Sequence, residues 1–151
     1  MPKIVNKKFL PYGIDKLYAI ITDVERYPEF IPWFKKITIT AVTDSIITTD
    51  VTIEFMFIRD HYTSIAELKA PHEVEGIVKA SVVVTMVEGP FDHFITTWSL
   101  QGVDDESCLI EFECNFSFNN KLYDDLAGIA LKPMNKKIMD AFIKRVNNII
   151  L

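Results

Sequence analysis

The side chains able to do chemistry are few in this chain, and they are scattered. His61, His72 and His93 fall on or near separate turns or strand starts, with no second histidine or carboxylate at ligand spacing. They read as solvated surface residues rather than as a metal set. Cys108 and Cys114 stand six apart with no CxxC around them, which suggests two buried thiols and neither a disulfide framework nor a zinc site. GxSxG, HExxH, Walker and dinucleotide-binding patterns do not occur, and five glycines leave little room for a phosphate loop. Glu54, Glu67, Glu111 and Glu113 alternate outward with polar neighbours. An enzyme acting on a bound ring would need an acid or base with a shifted pKa aimed into a cavity, and no inward position supplies one. The expectation is no catalytic residue, no metal and no covalent cofactor.

The segment Asp23 to Phe34, DVERYPEFIPWF, is the exception to this blandness. Tyr27, Phe30, Trp33 and Phe34 can each bury about 150 to 250 Å². Pro28 and Pro32 push the residues before them, Tyr27 and Ile31, toward extended geometry. Such a stiffened aromatic loop can either plug one end of a sheet or form the rim of a cavity that meets a hydrophobic ligand or a membrane.

The elements that must position this segment are legible from periodicity. In SCLIEFECNFSF the apolar residues Cys108, Ile110, Phe112, Cys114, Phe116 and Phe118 alternate with polar ones, the pattern of a half-buried antiparallel strand. Less clean alternation marks Ile4 to Leu10, Ile37 to Thr43, Val51 to Ile58, Tyr62 to Lys69, Val78 to Val87 and Phe94 to Leu100, about seven strands in all. Turn signals separate them at Thr43-Asp44-Ser45, Arg59-Asp60, Ala70-Pro71, Glu88-Gly89-Pro90 and Gly102-Val103-Asp104-Asp105. A short helix is predicted over Ile14 to Thr22, with a second turn from Val24 to Phe30. A long one is predicted from about Asn120 to Ile150, with an apolar stripe at Ala127, Leu131, Met134, Ile138, Phe142 and Ile149. Gly128 and Pro133 interrupt that helix, and Pro133 should kink it. The sequence therefore predicts an α+β fold, a curved antiparallel sheet of six to seven strands wrapped on a long C-terminal helix. A bent helix would leave a cavity between itself and the sheet.

Composition narrows the function classes. The 151 residues suit a single domain spanning 1–151, with no linker dividing it. Hydrophobic residues make up 49% of the chain, yet no apolar run approaches the length of a spanning helix. The excess must line a core, a cavity or an exposed patch. MPKIVNKKFL lacks the apolar core of a signal peptide, so the chain is expected either to be made where it works, in the cytoplasm, or to be already processed. The net charge of -5 argues against DNA as a partner. Charge is uneven, however: from Lys132 onward Lys132, Lys136, Lys137, Lys144 and Arg145 face Asp140 alone. The simpler reading is complementation of the helix dipole, with Asp124 and Asp125 opening the helix and the bases closing it; the other is a docking surface for anionic lipid or a partner.

DVERYPEFIPWF resembles the signature of coenzyme Q-binding START-like proteins and of their bacterial relatives, the ribosome association toxins, within the polyketide cyclase superfamily. VEGPFDHFITTWSL, CLIEFECNFSF and MDAFIKRVNNI resemble later elements of the same family, so the likeness spans essentially the whole chain. It implies a helix-grip (START-like, Bet v-like) fold and non-covalent binding of a ubiquinone-like lipid in support of respiratory electron transport, without catalysis. The matching positions are Asp23, Tyr27, Pro28, Phe30, Pro32 and Trp33, then Gly89, Pro90, Phe91 and Trp98; Phe34 stands where many relatives carry Cys. With the helix stripe, the expected ligand-binding set is Tyr27, Pro28, Phe30, Pro32, Trp33, Phe91, Trp98, Leu131, Met134, Ile138 and Phe142. A pocket of about 300 to 1,000 Å³ would hold a quinone head and a few isoprene units. A longer tail would overflow, either into lipid at the inner face of a respiratory membrane or into an apolar mouth shared by a homodimer. The alternatives implied by the same resemblance are a ribosome-directed regulator that blocks subunit joining and, in a different class, an aromatic polyketide cyclase or dehydratase.

Overall fold

The computed structural model describes residues 3–55 and 58–150, without the side chains of Phe55, Leu131, Lys132, Ile149 and Ile150. Strand β1 (Lys3–Leu10) leads into helix α1 (Ile14–Thr22) and a 3-10 helix (Val24–Glu29). Six strands follow: β2 (Phe34–Thr43), β3 (Ile46–Phe55), β4 (Ile58–Val74), β5 (Ile77–Glu88), β6 (Phe91–Asp104) and β7 (Ser107–Phe118). Helix α2 (Lys121–Ile150) closes the chain. The strands form one sheet in the order β1-β7-β6-β5-β4-β3-β2, and every pairing is antiparallel. This is the α+β helix-grip arrangement that the sequence implied.

Register follows the alternation. Every even residue of β7 from Cys108 to Phe118 is buried on the inner face, and one residue of slip would turn all of them to solvent. Helix α2 lies against the β1 and β7 side of the sheet. It buries Ala127, Ile138, Met139, Phe142 and Val146. Asn120 caps it, its Oδ1 accepting from the Tyr123 N–H at 3.2 Å. Asn6 fixes its middle by donating to the backbone oxygen and Oδ1 of Asn135 at 3.2 and 3.1 Å, and the Tyr12 hydroxyl bonds Asn147 near its end. Helix α1 buries Ile14, Leu17, Ile20 and Ile21 against the ends of β4, β5 and β6.

Three expected turns lie inside strands instead. Arg59-Asp60 belongs to β4, paired with Glu54 and Ile53, because the fully buried Ile58 already continues the inward alternation toward Tyr62. Ala70-Pro71 is a bulge: pairing shifts between Lys69↔Ser81 and His72↔Lys79, and β4 runs on to Val74. A bulge tolerates a proline that lacks its N–H. The actual reversal is Glu75-Gly76, both at positive φ (50° and 81°), as a two-residue hairpin of this hand requires. Gly102 to Asp104 is likewise a bulge within β6, with the reversal at Asp105-Glu106. Tyr27 also departs from expectation, being helical although it precedes a proline. The expected turns at Asp44-Ser45 and Gly89-Pro90 are present.

Helix α2 is continuous through Gly128 and Pro133. Its bases do not complement its dipole at the C-terminal end, since the last turn holds none. Lys136, Lys137 and Lys144 are exposed, while Arg145 is drawn into contacts described below. Among the described residues no helix is long and apolar enough to cross a membrane. His61, His72 and His93 are all exposed, and Cys108 and Cys114 are buried free thiols.

Candidate functional site

The aromatic segment is held in place by bonds at both ends. The Tyr27 hydroxyl donates to the Ile21 carbonyl at the end of α1. Its backbone oxygen accepts from the N–H groups of Phe30 and Ile31 at 3.1 and 2.8 Å, and Glu25 Oε2 accepts from Ile39 N–H on the edge strand β2 at 2.9 Å. The Trp33 carbonyl accepts from Glu54 N–H at 2.9 Å, tying the segment to β3. On the other side the segment meets α2. Phe142 receives Tyr27 and Phe30 edge-to-face, with centroids 5.3 and 5.2 Å away. Arg145 stands 5.1 Å over the Phe30 ring and bonds Glu29 at 3.2 Å. A cation over an aromatic face and a carboxylate beside it fix the same side chain twice.

Beneath this segment, between α2 and the inner face of the sheet, lies a cavity of about 150 Å³. Its wall draws on β1 to β7, the 3-10 helix and α2. Val84, Phe94 and Thr96 sit at inward positions of central strands yet remain partly exposed. Partial exposure there marks a void that solvent reaches. Trp33, Phe34 and Met134, also half-buried, mark its rim. Small residues make the space, since Ala66 and Ser64 face the cavity from β4 and Thr49 from β3.

The structure brings together Tyr27, Trp33, Phe91, Trp98, Met134, Ile138 and Phe142 of the expected set on this wall. Pro28, Phe30 and Pro32 are not on it. Pro32 is exposed, Pro28 is half-buried, and Phe30 packs between Phe142 and Arg145 behind the wall. The side chain of Leu131 lies outside the described residues. Ile31, with no exposed surface, is the plug of the segment, and Trp33 its rim. Gly89 and Pro90 act one step back. A Cβ on Gly89 would meet the Cβ of Tyr62 at 2.4 Å, so only glycine lets the β5–β6 turn seat Tyr62.

Sequence reasoning missed the polar groups of the cavity. Thr49 and Ser64 hydroxyls share a buried hydrogen bond of 2.8 Å, and the Thr96 hydroxyl donates to Cys114 Sγ at 3.2 Å. Burial pushes the Cys114 thiol up to about 11, against the pull of the Thr96 bond. Tyr62 is buried between Phe91 and Phe94, each 5.4 Å away. Burial first, and Cys114 second, hold its phenol protonated far above neutral pH. The signal for these residues was the run Tyr62, Ser64, Ala66, which alternates like the other strands but with small residues facing in. Among the described residues of the wall there is no Asp, Glu, Lys, Arg or His. A larger hollow, about 380 Å³, lies on the outer face of the sheet among Lys7, Lys69, His72, Lys79 and Glu111.

The sequence over residues 10–143, which builds this cavity and its aromatic roof, matches the family of polyketide cyclase/dehydrase and lipid transport. The chain belongs to that family. Within the polyketide cyclase, dehydrase and lipid transport family, it is 28% identical over 149 residues to the ribosome association toxin RatA of Escherichia coli K12, covering 99% of this chain and 89% of the toxin. It is 24% identical over 148 residues to the mitochondrial coenzyme Q-binding protein COQ10 homolog B of Xenopus laevis, covering 95% of this chain and 57% of that longer protein. The crystal structure of the Zhui aromatase/cyclase from Streptomyces sp. R1128 superposes with a TM-score of 0.80 at 11% identity, covering 99% and 95% of the two chains. That likeness is one of fold.

Proposed function

We propose that the chain binds an uncharged ring-headed lipid of the ubiquinone type in the cavity beneath Trp33, as a non-catalytic carrier or accessory factor for respiratory electron transport. The observation that carries this reading is the wall itself, which is apolar and aromatic, has five hydroxyls and a thiol, and has no charged side chain among the described residues. A charged head would lose its hydration there without a partner, whereas the two carbonyls of a neutral quinone ring lose far less and can be met by the wall's hydroxyls. The likeness to a coenzyme Q-binding protein supports the same ligand class.

Volume sharpens the reading. A cavity of about 150 Å³ is of the size that takes a single six-membered ring, smaller than the space a head and several isoprene units would need. The ring enters and the tail stays outside. Each methylene moved from lipid to water costs about 0.8 kcal/mol, so the tail remains in a bilayer or in a second protomer, and the Trp33 and Phe34 rim faces that apolar phase. Solvent extraction of the purified protein followed by mass spectrometry tests this reading. A bound prenyl quinone, and a rise in melting temperature on adding one, are expected; an extract without prenyl lipid and no thermal shift would overturn it.

One observation favours a second reading. The likeness to ribosome association toxins runs over nearly the full length of both chains, and α2 presents the exposed bases Lys136, Lys137 and Lys144. These could meet ribosomal phosphates despite the net charge of -5. Co-sedimentation with large ribosomal subunits, lost on Lys136→Glu with Lys137→Glu, would support it.

A further inference from the structure

The cavity's polar groups do not have equal standing. Thr49 is bonded to Ser64, and Thr96 to Cys114. The Tyr62 hydroxyl, on a residue only 6% exposed, hydrogen-bonds to no described residue. The indole N–H of Trp98, on a residue 3% exposed, has no partner among the described residues either. Neither atom is sealed in the core, since among the described residues the one fully buried side-chain polar atom without a partner is Ser107 Oγ; both are left open toward the cavity they line, where such groups ordinarily take up a partner. Both residues line the cavity, and both are donors, the indole exclusively so. With no charged group on the described wall, the complementary ligand is neutral and presents acceptors.

We infer that Tyr62 is a ligand-recognition residue that donates its hydroxyl to a ring carbonyl oxygen of the bound lipid, and that with Trp98 it makes the cavity favour the oxidised quinone over the hydroquinone. This rests on the ring-binding reading above and adds to it an atom, a direction and a redox preference. A quinone brings two carbonyl acceptors and no hydrogen of its own. A hydroquinone brings two hydroxyl hydrogens that need acceptors; the Tyr62 oxygen can take one of them, but the Trp98 N–H only donates, and a quinone carbonyl accepts from it better than a phenol oxygen does. The rings of Phe91 and Phe94 hold the Tyr62 ring in place, and the close approach at Gly89 fixes its backbone. The donor is therefore positioned before a ligand arrives.

The test is calorimetric titration of the full chain and of Tyr62→Phe with a decyl-tailed dimethoxy-methyl-benzoquinone and its hydroquinone. Infrared spectra of the bound quinone accompany it. Wild type should bind the oxidised form several-fold more tightly than the reduced, and the carbonyl stretch should move to lower frequency on binding. Tyr62→Phe should lose about 3- to 10-fold in affinity for the quinone and return one carbonyl band toward its unbound position. It should melt no lower than wild type, since the hydroxyl it lacks was unpaired. Quinone binding within roughly 2-fold of wild type by Tyr62→Phe, or an unshifted carbonyl band in wild type, would overturn the role of Tyr62 while leaving ring binding intact. A wild-type protein that binds neither form would overturn both.

Discussion

Filling the cavity is the most discriminating perturbation, because the sign of its effect on stability depends on whether the space is empty. Ala66 is buried on β4 and faces the void. Ala66→Leu adds three carbons at that point. At about 0.8 kcal/mol per buried methylene, the gain is at most about 2.4 kcal/mol. It stays below the roughly 3.6 kcal/mol that about 24 cal/mol per Å³ assigns to an unfilled cavity of 150 Å³. In a chain of this size 1 kcal/mol moves the melting temperature by about 2–4 °C, so a rise of up to about 10 °C is expected. Were the inner face already close-packed, the same change would overpack it and lose about 1–3 kcal/mol. Differential scanning calorimetry of the ligand-free protein reads the sign directly. Titration with the short-tailed quinone should show the affinity of Ala66→Leu falling at least tenfold as stability rises. A fall in melting temperature, or a rise with undiminished quinone binding, would refute the reasoning.

Other substitutions probe the frame around the cavity. Gly89→Ala should lose at least about 2 kcal/mol, read by urea denaturation, because its Cβ would stand 2.4 Å from that of Tyr62; an unchanged midpoint would mean that this turn is not what seats Tyr62. Trp33→Ala should lose less than the roughly 3–5 kcal/mol typical of a core tryptophan while weakening quinone binding about tenfold or more; a core-sized loss would make Trp33 a plug rather than a rim. Stability should also fall at high pH. The Cys114 thiol ionises near 9.0 in its ordinary state and near 11 when folded, so its contribution is full below pH 9 and is lost as pH rises to about 11, a difference of about 2 to 3 kcal/mol. Urea denaturation at pH 8 to 11 should show this slope reduced in Cys114→Ala, and an identical slope in that variant would assign the loss elsewhere.

The fold was largely legible in the sequence, and its errors share one cause. The six inward residues of β7 and the buried side of α2 at Ala127, Ile138 and Phe142 could be read from spacing alone, because burial on one face imposes a period. Turn chemistry was less reliable. Pro71 and Gly102 signal a break in pairing, but a bulge and a reversal use the same residues, and only the neighbouring strand decides between them. Glu75 reverses the chain at positive φ without the asparagine or glycine that usually announces it. For the site, recognition concentrated on the aromatic segment and so included Pro28, Phe30 and Pro32, which shape the segment from behind the wall. Tyr62 went unnoticed because an isolated tyrosine in a strand looks like core. What distinguishes it is the lack of a partner for its hydroxyl among the described residues, a property of three-dimensional packing that no spacing encodes.

The central claim is that a ring-headed neutral lipid occupies the space between α2 and the sheet. Chemical-shift mapping by nuclear magnetic resonance, with the short-tailed quinone titrated into labelled protein, tests it most directly. Saturable shifts should concentrate on Tyr62, Ala66, Thr96, Trp98 and Phe142, with ligand-to-protein contacts from the quinone ring to Tyr62 and Phe142. Shifts confined to Lys136, Lys137 and the outer face of α2, or none at all, would contradict it.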